Sequence, residues 1–487
     1  MRKNRLFLTV AVVAFACAPA SADTLREALI AAYETNPTMT GARAGQRALD
    51  ESVPIAKADG LPNATSDFGY QENFLRSANS FTAPLRQSTA GGSVTVPIYA
   101  GGAVKNAVRA AKTRVQAGKH DLRGTESSLF SNVVATYMDV IRDTAIVDLN
   151  RANVGVLTVN LEATSDRFEI GDLTRTDVAQ SEARLEGAKG DLETARANLI
   201  RSKENYIALV GHVPGDLKPP PPLPNLPKTP DEAADIALAN NPDLMASKDR
   251  SRAAEYDIKR ARAARKPRVE TYAQGRYLNF HGTLGGAVAG ATFIQEQSTA
   301  EAGIRATVPI YQGGRPAAQI RQAQARSSQA YEQEILTERS IIAQTRAAFS
   351  SWRASERVIQ SSERAMAAAA LSLEGVRAEN TVGNRTILDI LNAEQELLNT
   401  QVQLVTARRN SYVAGFSLLA AMGRAEARDL GLDGGTLYDP DVNYNRVKNV
   451  IYDFQSDPNP EPEATRTVDT QAQTADIEPL PVPRTNK

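Results

Sequence analysis

Apolar residues recur along this chain with two different periods, and the same order of periods runs twice. From Gln87 to Tyr99, Gly92, Val94, Val96 and Ile98 share one face, an alternation that predicts a strand apolar on one side only. After Gly101-Gly102 the period lengthens. Val108, Val115, Leu122 and Leu129 are seven apart, and Val133, Val140, Val147, Val154, Leu161 and Phe168 continue at seven after a shift of four, which is a stutter. The pattern predicts one unbroken helix from Ala103 to Ile170, roughly 100 Å long at 1.5 Å per residue. Gly171 marks a reversal. Val178, Leu185, Leu192, Leu199 and Tyr206 then return at seven-residue spacing, with Ser181, Ala188, Ala195, Ser202 and Leu209 three positions later. Large side chains facing small ones let antiparallel helices approach with knobs in holes, so a coiled-coil hairpin is expected.

The second half repeats this grammar. Thr95-Val96-Pro97-Ile98-Tyr99 returns 212 positions later as Thr307-Val308-Pro309-Ile310-Tyr311, and Gly171, Thr174, Asp177 and Glu182 return as Gly383, Thr386, Asp389 and Glu394. Nearer the start of each half the offset is 205, pairing Thr24 with Thr229 and Asn36-Pro37 with Asn241-Pro242. One insertion of seven residues therefore falls between Pro267 and Thr307. A duplicated unit this regular implies pseudo-symmetric architecture.

Each half opens with a capping box, Thr24-Leu25-Arg26-Glu27 and Thr229-Pro230-Asp231-Glu232, and meets Asn-Pro, where the helix should turn and restart. Strands are expected at 63–75, 87–99, 268–280 and 298–311, with Pro97 and Pro309 at ends where a ladder donor can be spared. In each half the two shorter helical stretches sum to nearly the length of the long one. Stacked end to end, they would match it, with a junction near mid-length. The organisation read from these signals is a signal peptide (1–22), a first repeat (23–212), a Pro-rich linker (213–228), a second repeat (229–424), an equatorial segment (425–452) and a disordered acidic, Pro-rich tail (453–487).

Composition narrows the class. Arg2, Lys3 and Arg5 precede an apolar run ending in Ala20-Ser21-Ala22, the form of a secretory signal. The single cysteine, Cys17, lies within it, so the mature chain should hold none, and the residues before Cys17 lack the leucine usual for lipidation. Removing the signal leaves 53 basic against 56 acidic residues, which gives no reason to expect nucleic acid. No later stretch reaches the roughly 20 apolar residues of a membrane-spanning helix. His120, His212 and His281 stand far apart, no nucleophile or phosphate-binding motif occurs, and no enzyme activity, cofactor or metal is expected.

Four strands cannot close a barrel, and an open sheet in lipid leaves its edge groups unsatisfied. A trimer, contributing twelve strands, is the smallest ring giving a usefully wide barrel. The fold class expected is mainly α with a small transmembrane β part, built from a duplicated β-β-α unit.

At Val382-Gly383-Asn384-Arg385-Thr386-Ile387-Leu388-Asp389-Ile390-Leu391-Asn392-Ala393-Glu394 the chain resembles the TolC family of outer-membrane channel proteins, at the turn of that family's second hairpin. The resemblance extends over nearly the whole mature chain. It implies a homotrimer with a twelve-stranded barrel in outer-membrane lipid and a periplasmic α-barrel. It also implies a periplasmic adaptor and an inner-membrane transporter as partners, in type I secretion or drug efflux. Carried over by position, Arg385 should reach Thr176 and Asp177, in the same chain or a neighbour, as a gate latch. Asp389 should form an acidic constriction ring, with Asn392 where a second aspartate is usual, and adaptor tips should dock around Gly171 and Gly383. The rival reading is a periplasmic coiled-coil adaptor or scaffold, against which stand two hairpins in one chain, each preceded by two alternating strands.

Overall fold

A computed structural model describes residues 23–75, 83–224, 226–285, 292–432 and 437–475. The expected signal segment and the last twelve residues of the tail lie outside them. The first repeat runs α1 (Leu25–Thr35), α2 (Pro37–Asp50), α3 (Ser52–Ala58), β1 (Asn63–Glu72), β2 (Arg86–Tyr99), α4 (Ala103–Glu169) and α5 (Arg175–Val210). The second runs α6 (Pro230–Asn240), α7 (Pro242–Arg262), β3 (Arg268–Asn279), β4 (Glu296–Thr307), α8 (Arg315–Thr381) and α9 (Ile387–Ala421), followed by α10 (Pro440–Val447). Helices α4 and α8 contain 67 residues each and start 212 positions apart, as the repeat requires. At 1.5 Å per residue each is about 100 Å long.

The end-to-end stacking of short helices rests on one side chain per repeat. At the first junction the Asn36 carboxamide oxygen accepts from Thr38 N at 2.8 Å, capping α2. Its Nδ2 donates to Leu209 O at 2.8 Å, in the last turn of α5. Asn241 does the same in the second repeat. Its Oδ1 accepts from Asp243 N at 3.0 Å and its Nδ2 donates to Ala421 O at 3.0 Å, at the end of α9. Helix ends leave unpaired N–H groups on one side and unpaired C=O groups on the other. An asparagine, with one donor and one acceptor arm, serves both, and Pro37 and Pro242 follow at a position where a missing N–H is harmless.

The main core gathers at this mid-length level. Leu29, Met39, Phe130, Val133, Tyr137, Leu199, Tyr206, Phe416 and Leu418 form one buried cluster. Further along the hairpins the buried set shrinks to Leu157, Leu185, Ala188 and Leu391. Helix α4 is central, packing on α1, α2, α3, α5, α7 and α9, whereas α8 packs mainly on α6, α7 and α9 among the described residues. The bare side of α8 leaves Ile335, Leu336, Val358 and Leu371 exposed.

All four strands form one antiparallel sheet in chain order, so β1 and β4 are its open edges. The expected strands are found, with two differences: β1 ends at Glu72, three residues short of expectation, and β4 also ends early. β4 stops at Thr307, short of the expected Tyr311, because β3 begins opposite it at Arg268 and no strand among the described residues lies beyond. β2 reaches Tyr99 because β3 pairs with it there, across an irregularity at Pro97 that spares the missing donor. The seven-residue insertion falls in the β3–β4 hairpin, where 16 residues separate the two strands.

Two local expectations change. Thr24 and Glu27 form the full reciprocal capping box. At the second repeat Thr229 accepts from Glu232 N, but the Glu232 carboxylate turns to Lys228 N at 2.9 Å, so only half the box closes. The linker, read as a stiff spacer, is pinned to the shaft. Tyr137 donates to Lys218 O at 2.7 Å and Tyr412 to Pro221 O at 3.0 Å. From 453 to 475 the tail carries no helix or strand and touches α2 through Arg47–Glu463 at 3.1 Å and α5 through Gln473 N to Glu204 at 2.9 Å.

Replacing Asn36 by alanine removes a cap and a carbonyl partner together. Helix-cap losses of about 0.5–2 kcal/mol each predict a destabilisation of about 1–3 kcal/mol, visible as a lower melting temperature with helix content retained.

Candidate functional site at the hairpin ends

Both helical hairpins reverse through the same backbone device. Gly171 has φ +82° and Gly383 has φ +81°, the left-handed conformation in which a side chain is strained. Around the first, Gly171 N bonds Phe168 O and Asp172 N bonds Arg167 O, both at 2.9 Å. Around the second, Gly383 N bonds Asn380 O and Asn384 N bonds Glu379 O, both at 3.0 Å. These are Schellman ends, which satisfy the last carbonyls of α4 and α8. An added Cβ would meet nothing at either glycine, so the backbone alone demands them.

The returning helices start on matched capping boxes. Asp177 Oδ2 accepts from Thr174 N at 2.9 Å and from Thr174 Oγ1 at 2.7 Å. Asp389 Oδ2 accepts from Thr386 N at 2.9 Å and from Thr386 Oγ1 at 2.8 Å. Hydrogen bonds from the Thr174 side chain and backbone hold the Asp177 carboxyl below the usual carboxylate range. Those from the Thr386 backbone and side chain do the same for Asp389. The family resemblance gives Asp177 and Asp389 separate roles, latch and ring. They occupy equivalent positions and share one local function, closing the first turn of a helix. The signal was present as Thr-x-x-Asp in both repeats.

The latch does not form within one chain. Arg385 is exposed, and its Nε donates to Glu379 Oε2 at 2.7 Å, across the turn it belongs to, with Asn380 Nδ2 holding Arg385 O at 2.7 Å. Glu379 wins because it sits at the end of the helix that Arg385 leaves, whereas Thr176 and Asp177 belong to the other hairpin. The solvated pair is worth about 0–1 kcal/mol. The first turn has its own version, Arg167 to Asp172 at 2.7 Å. Thr176 remains exposed.

Asn392 is also engaged differently from expectation. Arg184 on α5 donates to its Oδ1 at 2.8 Å, tying α9 to the first hairpin. Two residues on, Glu394 is 5% exposed and accepts from Asn160 Nδ2 on α4 at 3.0 and 2.8 Å and from Arg377 on α8 at 2.8 Å. The reading of the sequence noted Glu394 only as a repeat partner of Glu182, since heptad patterns do not say which polar residue turns inward. The histidines stay apart: His120 lies 3.6 Å from Asp249, His212 3.3 Å from Asp23, and His281 2.7 Å from Ser88.

At the other end of the shaft the sheet shows apolar side chains to its surroundings. Phe68, Tyr70, Ile304 and Tyr277 on the strands are exposed, as are Val308, Ile310 and Tyr311 beyond β4. None of the helices is long and apolar enough to cross a membrane among the described residues. A sheet with an apolar exposed face and two open edges, continued by a helical shaft, defines an outer-membrane channel-forming protein. The family model described as outer membrane efflux protein matches residues 29–212 and 233–424, and the chain belongs to that family. It is 34% identical to the outer membrane efflux protein BepC of Brucella suis over 88% of this chain and 91% of that one. It is 24% identical to the outer membrane protein TolC of Escherichia coli over 84% of each. The solved CmeC outer membrane channel of Campylobacter jejuni shares the fold, with TM-score 0.71 and 16% identity over 87% of this chain and 89% of that one. The protein is thus an outer-membrane efflux protein with a large periplasmic helical portion, and the scaffold reading falls.

Because both tip aspartates have lowered values, the ionised forms stabilise the helix starts. That contribution is present above the ordinary carboxylate range and is lost as pH falls through the lowered values. Amide protection at Thr174, Asp177, Thr386 and Asp389 should therefore hold from neutral pH into the carboxylate range and drop only below it. Hydrogen exchange measured across that pH series, corrected for intrinsic rates, checks this.

Proposed function

We propose that three copies close one twelve-stranded barrel and one helical tube, a conduit that carries substrates outward from an inner-membrane transporter through a periplasmic adaptor. The observation that carries this reading is the pair of unsatisfied edges, β1 and β4. Joined edge to edge between copies, they leave no N–H or C=O facing lipid. The exposed stretch 308–311 beyond β4 then has a neighbour to pair with, and the bare face of α8 meets a neighbouring shaft. Resemblance to the family supports the adaptor and transporter. In this reading Gly171 and Gly383 shape the tips around which an adaptor docks.

The hairpin ends form the far mouth of the conduit. There Arg385 of one copy faces Thr176 and Asp177 of the next, exchanging its local Glu379 bond for a link across the interface. Three such links, each about 0–1 kcal/mol, make a latch that a docking partner can release. Asp389 keeps one carboxylate oxygen outside its capping box, so three copies can still present an acidic ring that favours cations. Asn392, held by Arg184, contributes no charge to it.

In planar bilayers Arg385→Ser should raise resting conductance several-fold, and Asp389→Asn should remove cation preference. The asparagine keeps an acceptor for Thr386, so this change separates charge from capping. Resting conductance equal to wild type in Arg385→Ser would take Arg385 out of the gate.

A further inference from the structure

The first turns of α4, just below the sheet, carry charge against the helix's own preference. Lys105, Arg109 and Lys112 are exposed and share one face, at spacings of four and three. A helix start favours acids, yet the first turn of α4 holds none. Lys259 and Arg262, near the end of α7 that packs on α4, bring two more exposed cations beside them. Among the described residues none of the five has a carboxylate partner. Arg109 and Lys259 lie 5.9 and 5.0 Å from the centre of the Tyr256 ring. Glu255, the acid on that side of α7, accepts from Tyr331 Oη at 2.5 Å.

The sheet decides which way these cations face. Thr65, Ser93, Gln274 and Glu301 stand in register on its polar face, and Ala64, Val94, Ala273 and Ala302 on its apolar one. Arg268 and Glu270, on the polar face, line a concave space with Ala107 and Arg114 of α4 and Asp257 and Ala261 of α7. Arg114, on that side, has Asp257 as its partner. At 3.6 residues per turn the five cations point away from this space, so they lie below the apolar face. Tyr99, at the end of β2, and Tyr311, beyond β4, are exposed at the boundary. Lys112 is nine residues into α4, which keeps the α4 cations within about 14 Å of the helix start.

Duplication does not require this charge. The positions on α8 matching Lys105, Arg109 and Lys112 hold Ala317, Arg321 and Gln324, and Pro54 matches Lys259. Lys57, which matches Arg262, extends the band on α3: burial first, then the charges of Lys112 and Lys448, pushes its ammonium below the usual lysine range.

We propose that Lys105, Arg109, Lys112, Lys259 and Arg262 form a collar that binds the phosphate groups of anionic phospholipids in the membrane leaflet facing the periplasm. This rests on the reading that the apolar sheet face meets lipid in a closed barrel. Apolar band, boundary tyrosines and unpaired cations follow one another in the order of acyl chain, interface and headgroup. An acidic protein would answer the charge, but not its place directly below the lipid-facing band.

The test equilibrates the full-length mature protein, in detergent, with equal amounts of phosphatidylglycerol and phosphatidylcholine, and counts retained lipid by native mass spectrometry. Wild type should retain phosphatidylglycerol several-fold over phosphatidylcholine. The variant with all five cations changed to glutamine should retain both about equally, with a melting temperature near that of wild type. A charge-conserving variant (K105R, R109K, K112R, K259R, R262K) should keep the preference. Equal retention by wild type, or an unchanged preference in the glutamine variant, overturns the inference. So does loss of preference in both variants together with a fall in melting temperature, which marks a folding effect. Displacement of phosphatidylglycerol by an equal concentration of inorganic phosphate overturns it too, since the site would then take a free anion. The same spectra count chains. A single chain with the preference intact fails the conduit reading alone, and a trimer without the preference fails the collar alone.

Discussion

A strand edge in hydrocarbon has nowhere to place its N–H and C=O groups, and this constraint organises the molecule. One chain supplies four strands in a single sheet with β1 and β4 unpaired. It cannot satisfy those edges alone. Everything below the sheet has to remain compatible with several copies set side by side around one axis. The shaft must be even in length, because gaps between helices would break the wall. Duplication provides this, giving two 67-residue helices and two stacked pairs of shorter ones. Asn36 and Asn241 turn each stack into a continuous rod by serving two helix ends with one side chain.

The hairpin ends follow from the same economy of backbone satisfaction. Gly171 and Gly383 close the outgoing helices, and Asp177 and Asp389 open the returning ones. Negative charge at the tips is thus a consequence of capping before it is a feature of any pore. Selectivity at such a mouth needs only the second carboxylate oxygen, which the box leaves unused. Gating, by contrast, needs bonds that differ between two arrangements. Within one chain the bonds that cross between the hairpins run through Glu394, Asn392 and the Arg409–Asp139 pair, not through the turn residues.

Most of the architecture was legible because it is written in periods. The seven-residue spacing gave the long helices and their reversals, the two-residue spacing gave the strands, and the repeat offsets gave their correspondence. The end of β4 was not legible, since a strand stops where its partner does, and β3 begins opposite Thr307 at Arg268. The site was read less completely. Arg385 was placed at the turn correctly, yet its bond to Glu379 depends on which neighbour is nearer in space. Asp389 was assigned a role by resemblance while its capping signature, Thr386-Ile387-Leu388-Asp389, went unread. Glu394 could not be picked out, because its burial is set by how two hairpins meet.

The central claim is that several copies share one wall. Native mass spectrometry of the detergent-solubilised protein addresses it most directly. The account predicts a single species of three mature chains that persists on dilution and separates only when detergent is stripped or the sheet denatured. A stable, folded single chain that remains soluble without detergent would contradict it.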